Sequence, residues 1–433
     1  MPKIWEKSYQ LDKEVEAFTV GDDCLADQKL AKYDAIASAA HAKTLRKAGI
    51  LNSSELASLL KGLSKIYALA RQGKFSILPE EEDMHAAIES WLTKNIGKAG
   101  AKIHTARSRN DQVLAAVRLY SSDKIIETGQ ALVELCEVLL KFSQKNHKTE
   151  MPGYTHLQRA MPSTVGLWSS ALLEALLDDA KLLAAAHDLN SQSPLGSGSG
   201  YGTPLKTDRE YTAKLLGFRK VQNNFLYVQN SRGKIEAAIV AALSQIMLDL
   251  SRHASDILLF TTSEFGFFSL PDELLTGSSM MPQKKNYDLL ELTRAKSSVV
   301  LANEFALKSL IEKLPSGYNR DFQLTKKPLI DSFETTIASL GIVKLVFSKL
   351  QPNKEKLKAA LTSEIYSTHR AYSMLGKKSF REAYKEAAGS GSSIAFKPES
   401  ANLRPSIAGI ISLKAGLKPL KTAASLSKTL FRM

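Results

Sequence analysis

Three polar segments of the sequence combine hydroxyl, amide and cationic side chains beside predicted helix ends. They are HTARSRNDQ at 104–112, GYTHLQRAMP at 153–162 and GSSMMPQKKN at 277–286. A polar run before a helix is usually a capping and turn segment, and each segment taken alone has that interpretation. Three such segments in one chain favour a binding or catalytic site.

The third segment has the composition of an anion-binding loop. Gly277 gives the backbone freedom, Ser278 offers a hydroxyl, and Lys284 and Asn286 bring positive charge and an amide beside it. Loss of a proton next to a carboxylate increases the negative charge on that carboxylate, and ammonium, amide and backbone N–H groups stabilise it. The nearby positive charge also favours a serine alkoxide. The alternatives are a solvated loop and a lid that closes over a substrate.

His156 is one of eight histidines, and a lone histidine is more often structural than catalytic. Its position between Thr155 and Gln158, in a polar segment at a helix junction, favours a functional role. Glu291, near the start of the helix predicted after the lysine loop, would orient the imidazolium form if the two side chains lie close together.

Apolar residues recur at three- and four-residue spacing along most of the chain, which predicts a mostly helical protein. The clearest case is 52–70, where Asn52 and Glu55 form a predicted capping box. Long helices are predicted at 110–149, 162–190 (starting at Pro162 with Ser163 as N-cap), 231–265, 288–312 and 326–350. Five long helices with short connections predict a helical bundle.

Candidate boundaries near 106 and 352 divide the chain into three predicted domains. An N-terminal helical domain covers 1–106, the long-helix bundle covers 107–352, and a small helical domain with a basic tail covers 353–433. The Gly/Ser cluster at 389–393 is predicted to be a surface connector.

The helix predicted at 110–149 separates the first polar segment from the second. At 1.5 Å per residue it would span roughly 60 Å, so one chain cannot bring the two segments together unless the helix is sharply kinked. If both build one site, different subunits must supply them, which predicts a homo-oligomer.

Composition narrows the class of protein further. The 433 residues are 44% hydrophobic with a formal charge of +14, and the basic residues are spread along the chain, which favours a solvated surface over nucleic-acid binding. The separated Cys24 and Cys136 predict neither a disulfide framework nor a zinc site. No N-terminal apolar segment and no stretch of 18 uncharged apolar residues occurs, so we expect a cytoplasmic protein without a membrane partner.

Together the three polar segments resemble the three signature regions of the fumarase/aspartase superfamily, whose third region reads GSSxMPxKxN. Within it, HTARSRNDQ, the QKKN form of the lysine loop, EDMH at 82–85 and LPSGYNRDFQLTK at 314–326 resemble the argininosuccinate lyase family. The resemblance runs from about Leu25 to about Leu350 and thins toward the C-terminus. It implies an all-α, three-domain fold whose long helices build a twenty-helix core in a homotetramer. It also implies β-elimination of argininosuccinate to arginine and fumarate without a metal or organic cofactor.

The resemblance further implies roles for individual residues. Ser278 is similar to the family's general base, and Lys284 and Asn286 to the groups that hold the carboxylate as it gains charge. His156, paired with Glu291, resembles the group that serves the leaving guanidinium side. Asp83 and His85 fall in a matching segment, and the implied substrate-binding residues are Asp27, Ser108, Arg109, Asn110, Thr155, Arg232, Tyr318, Gln323 and Lys326.

Three departures from the family pattern keep other interpretations open. Tyr287 stands where the family commonly has proline, Ala106 where it has glycine, and WEKSY at 5–9 replaces a WGGRF-like segment. The alternatives are another fumarate-releasing lyase, of the adenylosuccinate or aspartate type, and a catalytically silent scaffold on the same fold. A nucleic-acid binder driven by the positive charge is a third.

Overall fold

Helices provide most of the regular structure in this computed structural model, which describes residues 12–78, 81–389 and 401–433. The first part of the chain forms α1 (Lys13–Val20), α2 (Asp23–Lys47), α3 (Ser53–Arg71), α4 (Met84–Ile96) and α5 (Lys98–Ala101). The capping box predicted for α3 is confirmed, because the Glu55 N–H donates to Asn52 Oδ1 and the Asn52 N–H donates to Glu55 Oε2, both at 2.9 Å. The segments 5–9 and 390–393, which carried sequence predictions, lie outside the described residues.

The remaining helices include the five predicted long ones. In chain order they are α6 (Arg109–Lys145), α7 (Val165–Asn190), α8 (Arg209–Leu216), α9 (Phe225–Asn230), α10 (Lys234–Phe260), α11 (Asp288–Ile311), α12 (Lys326–Lys349), α13 (Lys354–Ala359), α14 (Ser367–Ser373), α15 (Phe380–Gly389), α16 (Arg404–Leu417) and α17 (Ala423–Leu430). The all-α prediction is confirmed, with α6, α7, α10, α11 and α12 as the bundle. The domain boundaries near 106 and 352 stay predictions.

The predicted start of α7 was wrong by three residues. Pro162 and Ser163 belong to a strand, and the helix begins at Val165 with Thr164 as N-cap, whose Oγ1 accepts the Leu167 N–H at 3.0 Å. Proline lacks the N–H that a strand ladder uses but is tolerated at the edge of a two-stranded hairpin. The polar segment before α7 therefore forms a hairpin where a helix cap was expected.

Short strands join the helices. β1 (Glu150–Thr155) and β2 (Gln158–Thr164) pair antiparallel, with Glu150 opposite Thr164 and Thr155 opposite Gln158. The others are two-residue pairs: β3 (Gln192–Ser193) runs parallel to β4 (Lys220–Val221), and β5 (Phe268–Ser269) runs antiparallel to β6 (Gln351–Pro352). The pairing of β5 with β6 places the ends of α10 and α12 together.

The bundle has two distinct ends, which we call the cavity end and the hairpin end. At the cavity end α6, α10 and α12 begin, and the Gly317 N–H, just after α11, donates to Asn230 Oδ1 just before α10 at 2.8 Å. At the hairpin end an aromatic cluster joins the hairpin to the bundle. Trp168 stacks on Phe268 with ring centroids 5.1 Å apart, and Tyr154 of β1 packs against Phe265 at 5.9 Å.

Residues 401–433, here called the C-terminal strap, fold back over the body of the protein. Its helix α16 packs on α6 and α7, and α17 packs on α2. No helix of the described ranges is long and apolar enough to cross a membrane.

Candidate functional site

A cavity of about 540 Å³ opens at the cavity end of the bundle. It gathers eight of the predicted substrate-binding residues from four separate parts of the sequence. These are Asp27, Ser108, Arg109, Asn110, Arg232, Tyr318, Gln323 and Lys326. Polar groups that converge on one concave surface mark a binding site.

The first polar segment reaches this cavity because it starts α6. Ser108 is the N-cap, its hydroxyl accepts the Asn110 N–H at 3.2 Å, and its own N–H donates to Asp111 Oδ1 at 2.9 Å. The cap therefore holds Arg109 and Asn110 at the helix N-terminus, where backbone N–H groups and the helix dipole favour an anion. Arg109 donates to Asp83 Oδ2 at 2.9 Å and lies 3.3 Å from Glu82 Oε2.

Asp111 links this helix start to the glycine-rich loop at 193–205. Its Oδ2 accepts the N–H groups of Gly196 and Gly198, each at 3.0 Å. Burial raises the pKa of Asp111 to about 6, and the hydrogen bonds from Ser108, Gly198 and Gly196 oppose that rise. The Asp111 carboxylate thus connects the start of α6 to the glycine-rich loop beside the cavity.

Lys326, which also lines the cavity, forms a buried ion-pair cluster. Its Nζ lies 2.6 Å from Asp27 Oδ1 and 2.6 Å from Asp23 Oδ1. Burial alone would lower the pKa of Lys326, but Asp27 and Asp23 outweigh it and the pKa is raised. Lys326 is therefore a fixed positive charge in the cavity.

Arg232 brings a second buried cation, which lies beside two neighbouring aromatic rings. Its Cζ lies 5.1 Å from the Tyr318 ring centroid and 5.2 Å from that of Phe322, within cation–π range. Among the described residues its Nη1 has no hydrogen-bond partner, although the side chain is buried. A buried donor without a partner is costly, so this guanidinium is suited to an oxygen supplied by a ligand.

A hydrogen-bonded network supports the cavity from beneath. His85, which lines it, has its Nδ1 2.9 Å from Asp34 Oδ2, and Gln112 Nε2 donates to the same carboxylate. Burial would lower the pKa of His85, but Asp34 outweighs it and the pKa is raised. Burial would raise the pKa of Asp34, yet His85, Arg107 and Gln112 hold it below its usual value. The raised pKa of His85 and the lowered pKa of Asp34 both favour the charged forms of the pair.

The second polar segment lies at the tip of the β1–β2 hairpin, away from the cavity. His156 and Leu157 form the two-residue turn with φ of 53° and 59°, as in a type I′ turn. This region is strained for side chains other than glycine, asparagine and aspartate, and such strain often marks functional sites. Thr155 and His156 are both exposed.

The lysine loop, 277–286, lies at the hairpin end of the bundle and is closed at its base by backbone hydrogen bonds. Thr276 and Asn286 pair through their backbones at 2.9 and 3.1 Å, and Asn286 Nδ2 donates to the Gly277 carbonyl at 3.1 Å. Ser278 Oγ accepts the N–H groups of Met280 and Met281 at 3.3 and 3.1 Å. The loop therefore fixes the Ser278 hydroxyl with two donors pointing at its oxygen.

The charged residues of the loop differ in their contacts. Lys285 Nζ lies 2.6 Å from Asp272 Oδ1, whereas Lys284 is exposed and forms no ion pair within the described part of the chain. Glu291 is exposed in the first turn of α11. Its pairing with His156 stays a prediction.

Two of the residues that depart from the family pattern have clear local consequences. Tyr287 immediately precedes α11 and is half-buried, and this burial raises the pKa of its hydroxyl. Ala106 has φ of 59°, a conformation that glycine adopts without strain.

The two ends of the bundle are too far apart for one chain to assemble all three segments. Helix α10 runs from the cavity end to the hairpin end and has 27 residues, which corresponds to roughly 40 Å. Thr155, His156, Ser278, Lys284, Asn286 and Glu291 lie toward the hairpin end, and none of them lines the cavity.

The structure also adds residues to the cavity that the sequence reasoning missed. They are Thr19, Val20, Asp23, Glu82, His104, Val113 and Arg320. Asp23 lies four residues before Asp27 on α2, and that spacing on one helix face was a usable signal. Burial and the nearby Arg107 lower the pKa of His104 to about 4, so it presents a neutral imidazole.

Comparisons with known proteins converge on one family. A family model described as lyase matches residues 6–302. The argininosuccinate lyase of Thermotoga neapolitana is 46% identical over 387 residues, covering 89% of this chain and 97% of the relative. That of Stenotrophomonas maltophilia is 41% identical, covering 89% and 90%, and that of Bacteroides fragilis is 40% identical, covering 89% and 86%.

Solved structures agree on the fold. An EDDS lyase in complex with formate superimposes with a TM-score of 0.76 at 22% identity, covering 98% of this chain and 94% of that one. A fumarate lyase:delta crystallin from Brucella melitensis gives a TM-score of 0.73 at 19% identity, covering 96% and 94%. At these identities the likeness concerns the fold alone.

Proposed function

The chain belongs to the argininosuccinate lyase family, and from that membership we propose that it splits argininosuccinate into arginine and fumarate. Such an enzyme is a carbon–nitrogen lyase. The observation that carries the proposal is the cavity with Arg109 at a helix N-terminus and the buried guanidinium of Arg232, whose Nη1 has no partner among the described residues. A substrate with carboxylates at both ends suits this set of cations.

The proposed reaction is a β-elimination in which Ser278 acts as the base. Its oxygen takes a proton from the substrate carbon beside a carboxylate, and the electron pair left there forms the double bond of fumarate. The C–N bond breaks, its electrons pass to the guanidino nitrogen, and a proton from the side of His156 completes arginine. Protons and electrons balance without a further reactant.

The setting of Ser278 supports its role as base. Two backbone N–H groups point at its Oγ, and hydrogen bonds to the charged form of a group favour that form. Lys284, which has no ion pair within the described residues, is available to neutralise the carboxylate as charge develops on it. Asn286 adds an amide donor, and Glu291 orients His156.

We propose that these groups meet Arg109 and Arg232 only when chains assemble. A second apolar stripe on α11 supports this, because Leu292, Ala295, Val299, Ala302 and Ala306 recur at alternating three- and four-residue spacing. Leu292 and Val299 are 57% and 51% exposed in the single chain. Such spacing is typical of helices that pack against another helix.

The assembly that we propose is a homotetramer in which the five long helices of each chain form a twenty-helix core. It brings the hairpin end of one chain to the cavity end of another, and Thr155 and His156 then face the cavity residues. We propose that the reaction needs no metal or organic cofactor. We also propose a cytoplasmic location, and cell fractionation with an activity assay tests it.

The experiment is to follow the absorbance of released fumarate with argininosuccinate, adenylosuccinate and aspartate offered separately. Turnover of argininosuccinate is the expected result. Turnover of only adenylosuccinate or aspartate assigns another lyase activity, and no turnover of any of them by the assembled protein supports a silent scaffold.

A further inference from the structure

A second cavity, larger than the candidate site, lies outside the proposed active site and beneath the C-terminal strap. Its volume is about 1120 Å³, roughly twice that of the candidate site. The walls come from α6, α7, α8 and α16, and none of the predicted catalytic or substrate-binding residues lines it. The proposed lyase reaction therefore does not account for this cavity.

Close contacts seat the strap firmly on the body. A Cβ added at Gly129 of α6 would come within 2.7 Å of Leu417, and one added at Gly409 of α16 within 2.8 Å of Leu177. The Ala423 N–H donates to Asp123 Oδ1 at 2.7 Å. Since glycines permit this close approach at two helix crossings, the cavity is a built feature of the fold.

The floor of the cavity is aliphatic and extends along two helices. Leu119, Ile125, Leu183 and Leu216 line it and are buried. The strap adds apolar groups from Leu413 to Leu420. Along α7 the lining runs from residue 174 to residue 188, which corresponds to roughly 20 Å of helix. The length of this lining suits an extended aliphatic group, and the charged side chains of Glu174, Asp178 and Lys181 lie along the same stretch of α7.

Positive charge gathers where α8 ends. Lys421 of the strap lies over Gly217, whose added Cβ would come within 2.9 Å of Lys421 Cδ, and Lys214 and Lys220 flank that glycine in sequence. None of these three lysines forms an ion pair with another described residue, whereas the neighbouring Arg219 is paired with Asp188. The carboxylate of Glu210 also lines this region. It offsets only one of the three lysine charges, so the region keeps an excess of positive charge.

A polar atom without a partner lies at the start of α16. Ser406 lines the cavity, is 1% exposed, and its Oγ has no hydrogen-bond partner among the described residues. Buried hydroxyls are normally satisfied, so this one indicates a ligand atom or water in the cavity.

We propose that this cavity binds a single-chain aliphatic carboxylate. The tail lies along α7 and α16 against the leucines, and the carboxylate meets Lys214 and Lys421 at the end of α8. Few aromatic side chains line the cavity, Phe218 among them, which disfavours a nucleobase or another flat ring system.

The test is a titration of the full-length protein with the fluorescent fatty acid cis-parinaric acid, followed by displacement with dodecanoate. We expect saturable binding that dodecanoate displaces and dodecyltrimethylammonium does not. The Lys214→Glu/Lys421→Glu double variant should weaken binding at least about tenfold, because the attraction becomes a repulsion. Lys418→Glu, which reverses a charge of the same strap outside the cavity, should bind as the unmodified protein does.

A second pair of variants tests the tail site by volume. Gly416 lines the cavity, and a Cβ added there would meet nothing within 4 Å, so Gly416→Met should fill the site and abolish probe binding without disturbing the fold. Ala415→Met, on the exposed side of α16, should leave binding unchanged.

Equal binding by Gly416→Met and Ala415→Met overturns the proposal, as does equal displacement by the cationic detergent. Binding to phosphatidylglycerol vesicles without uptake of monomeric dodecanoate also overturns it, and assigns the lysines to a membrane surface.

Discussion

Arg109 and His156 lie at opposite ends of the same long helix. Arg109 is the first residue of α6, whose 37 residues correspond to roughly 55 Å, and His156 is at the tip of the hairpin that follows its last turn. Both belong to polar segments predicted to serve one reaction. Their separation within a chain is the main reason for proposing a site shared between chains.

Replacement of Arg109 by lysine should weaken catalysis although the charge is kept. Arginine presents a planar pair of donors that suits a carboxylate, and lysine offers a single point charge. We expect kcat/KM for argininosuccinate to fall by at least about tenfold, as for the loss of one charge-assisted hydrogen bond. Steady-state kinetics measures the effect, with Arg320→Lys, also at the cavity, as the matched comparison. An unchanged kcat/KM in the Arg109 variant would remove Arg109 from substrate binding.

Replacement of Ser278 by alanine should abolish turnover and preserve substrate binding. The variant loses the proposed base and little contact area, so kcat should fall by about a thousandfold or more while the Kd for argininosuccinate changes little. Calorimetry on the inactive variant gives that Kd. Ser279→Ala, next to it in the same loop, should keep most of the activity. Retention of the original kcat in Ser278→Ala would place the base elsewhere.

A charge on the uncovered face of α11 should prevent assembly. Val299→Glu places a carboxylate in the apolar stripe, where a second helix must exclude water, and burial of an unpaired charge costs several kcal/mol. We expect sedimentation to show smaller species without lyase activity. The neighbouring Ser298→Glu is exposed outside the stripe and should assemble normally. A fully assembled Val299→Glu protein would show that this face is not an interface.

The His85–Asp34 pair should make stability depend on pH in a defined direction. Because the folded pKa of His85 is raised above 6.5, its contribution is fully present below about pH 6.5 and is lost as the pH rises through the folded value. The folded pKa of Asp34 is lowered from 3.8, so its contribution is present above about pH 3.8 and is lost as the pH falls through the folded value. The pair therefore stabilises the folded protein most between about pH 3.8 and pH 6.5.

Thermal unfolding of His85→Gln across this range provides the measurement. The variant should lose about 3 kcal/mol near pH 6, typical of a broken buried ion pair, and the difference from the original protein should shrink at alkaline pH. The exposed His147→Gln should show no such trend. A constant difference between pH 6 and 9, to within about 0.5 kcal/mol, would contradict an ionised pair.

The long helices could be predicted from the sequence because each carries its apolar positions in its own local pattern. The capping box at Asn52 and Glu55 is equally local. The structure confirms the capping box and the five long helices. The hairpin at Thr155 could not be predicted, because Pro162 and Ser163 are equally common before a helix. Tyr154 of the hairpin also packs against Phe265, a contact between residues that are distant in sequence.

The cavity residues were predicted where the resemblance to the family supplied them. It implied substrate-binding roles for Arg109, Arg232 and Lys326, and the structure brings the three to one cavity. Asp23 was missed although its four-residue spacing from Asp27 was a usable signal, and its role is shown by its contact with Lys326, some three hundred residues later in the chain. The C-terminal strap carried no motif, and its cavity exists only through its packing on α6 and α7.

Complementation between two inactive variants tests the shared site most directly. Ser278→Ala and Arg232→Ala should each assemble and show almost no turnover of argininosuccinate. If different chains supply these residues, mixing the variants by dissociation and reassembly restores intact sites, up to about one quarter of the total for random mixing of equal amounts. Recovery toward that fraction is the result that we predict. Mixed assemblies with no recovered activity would show that each site is built by a single chain.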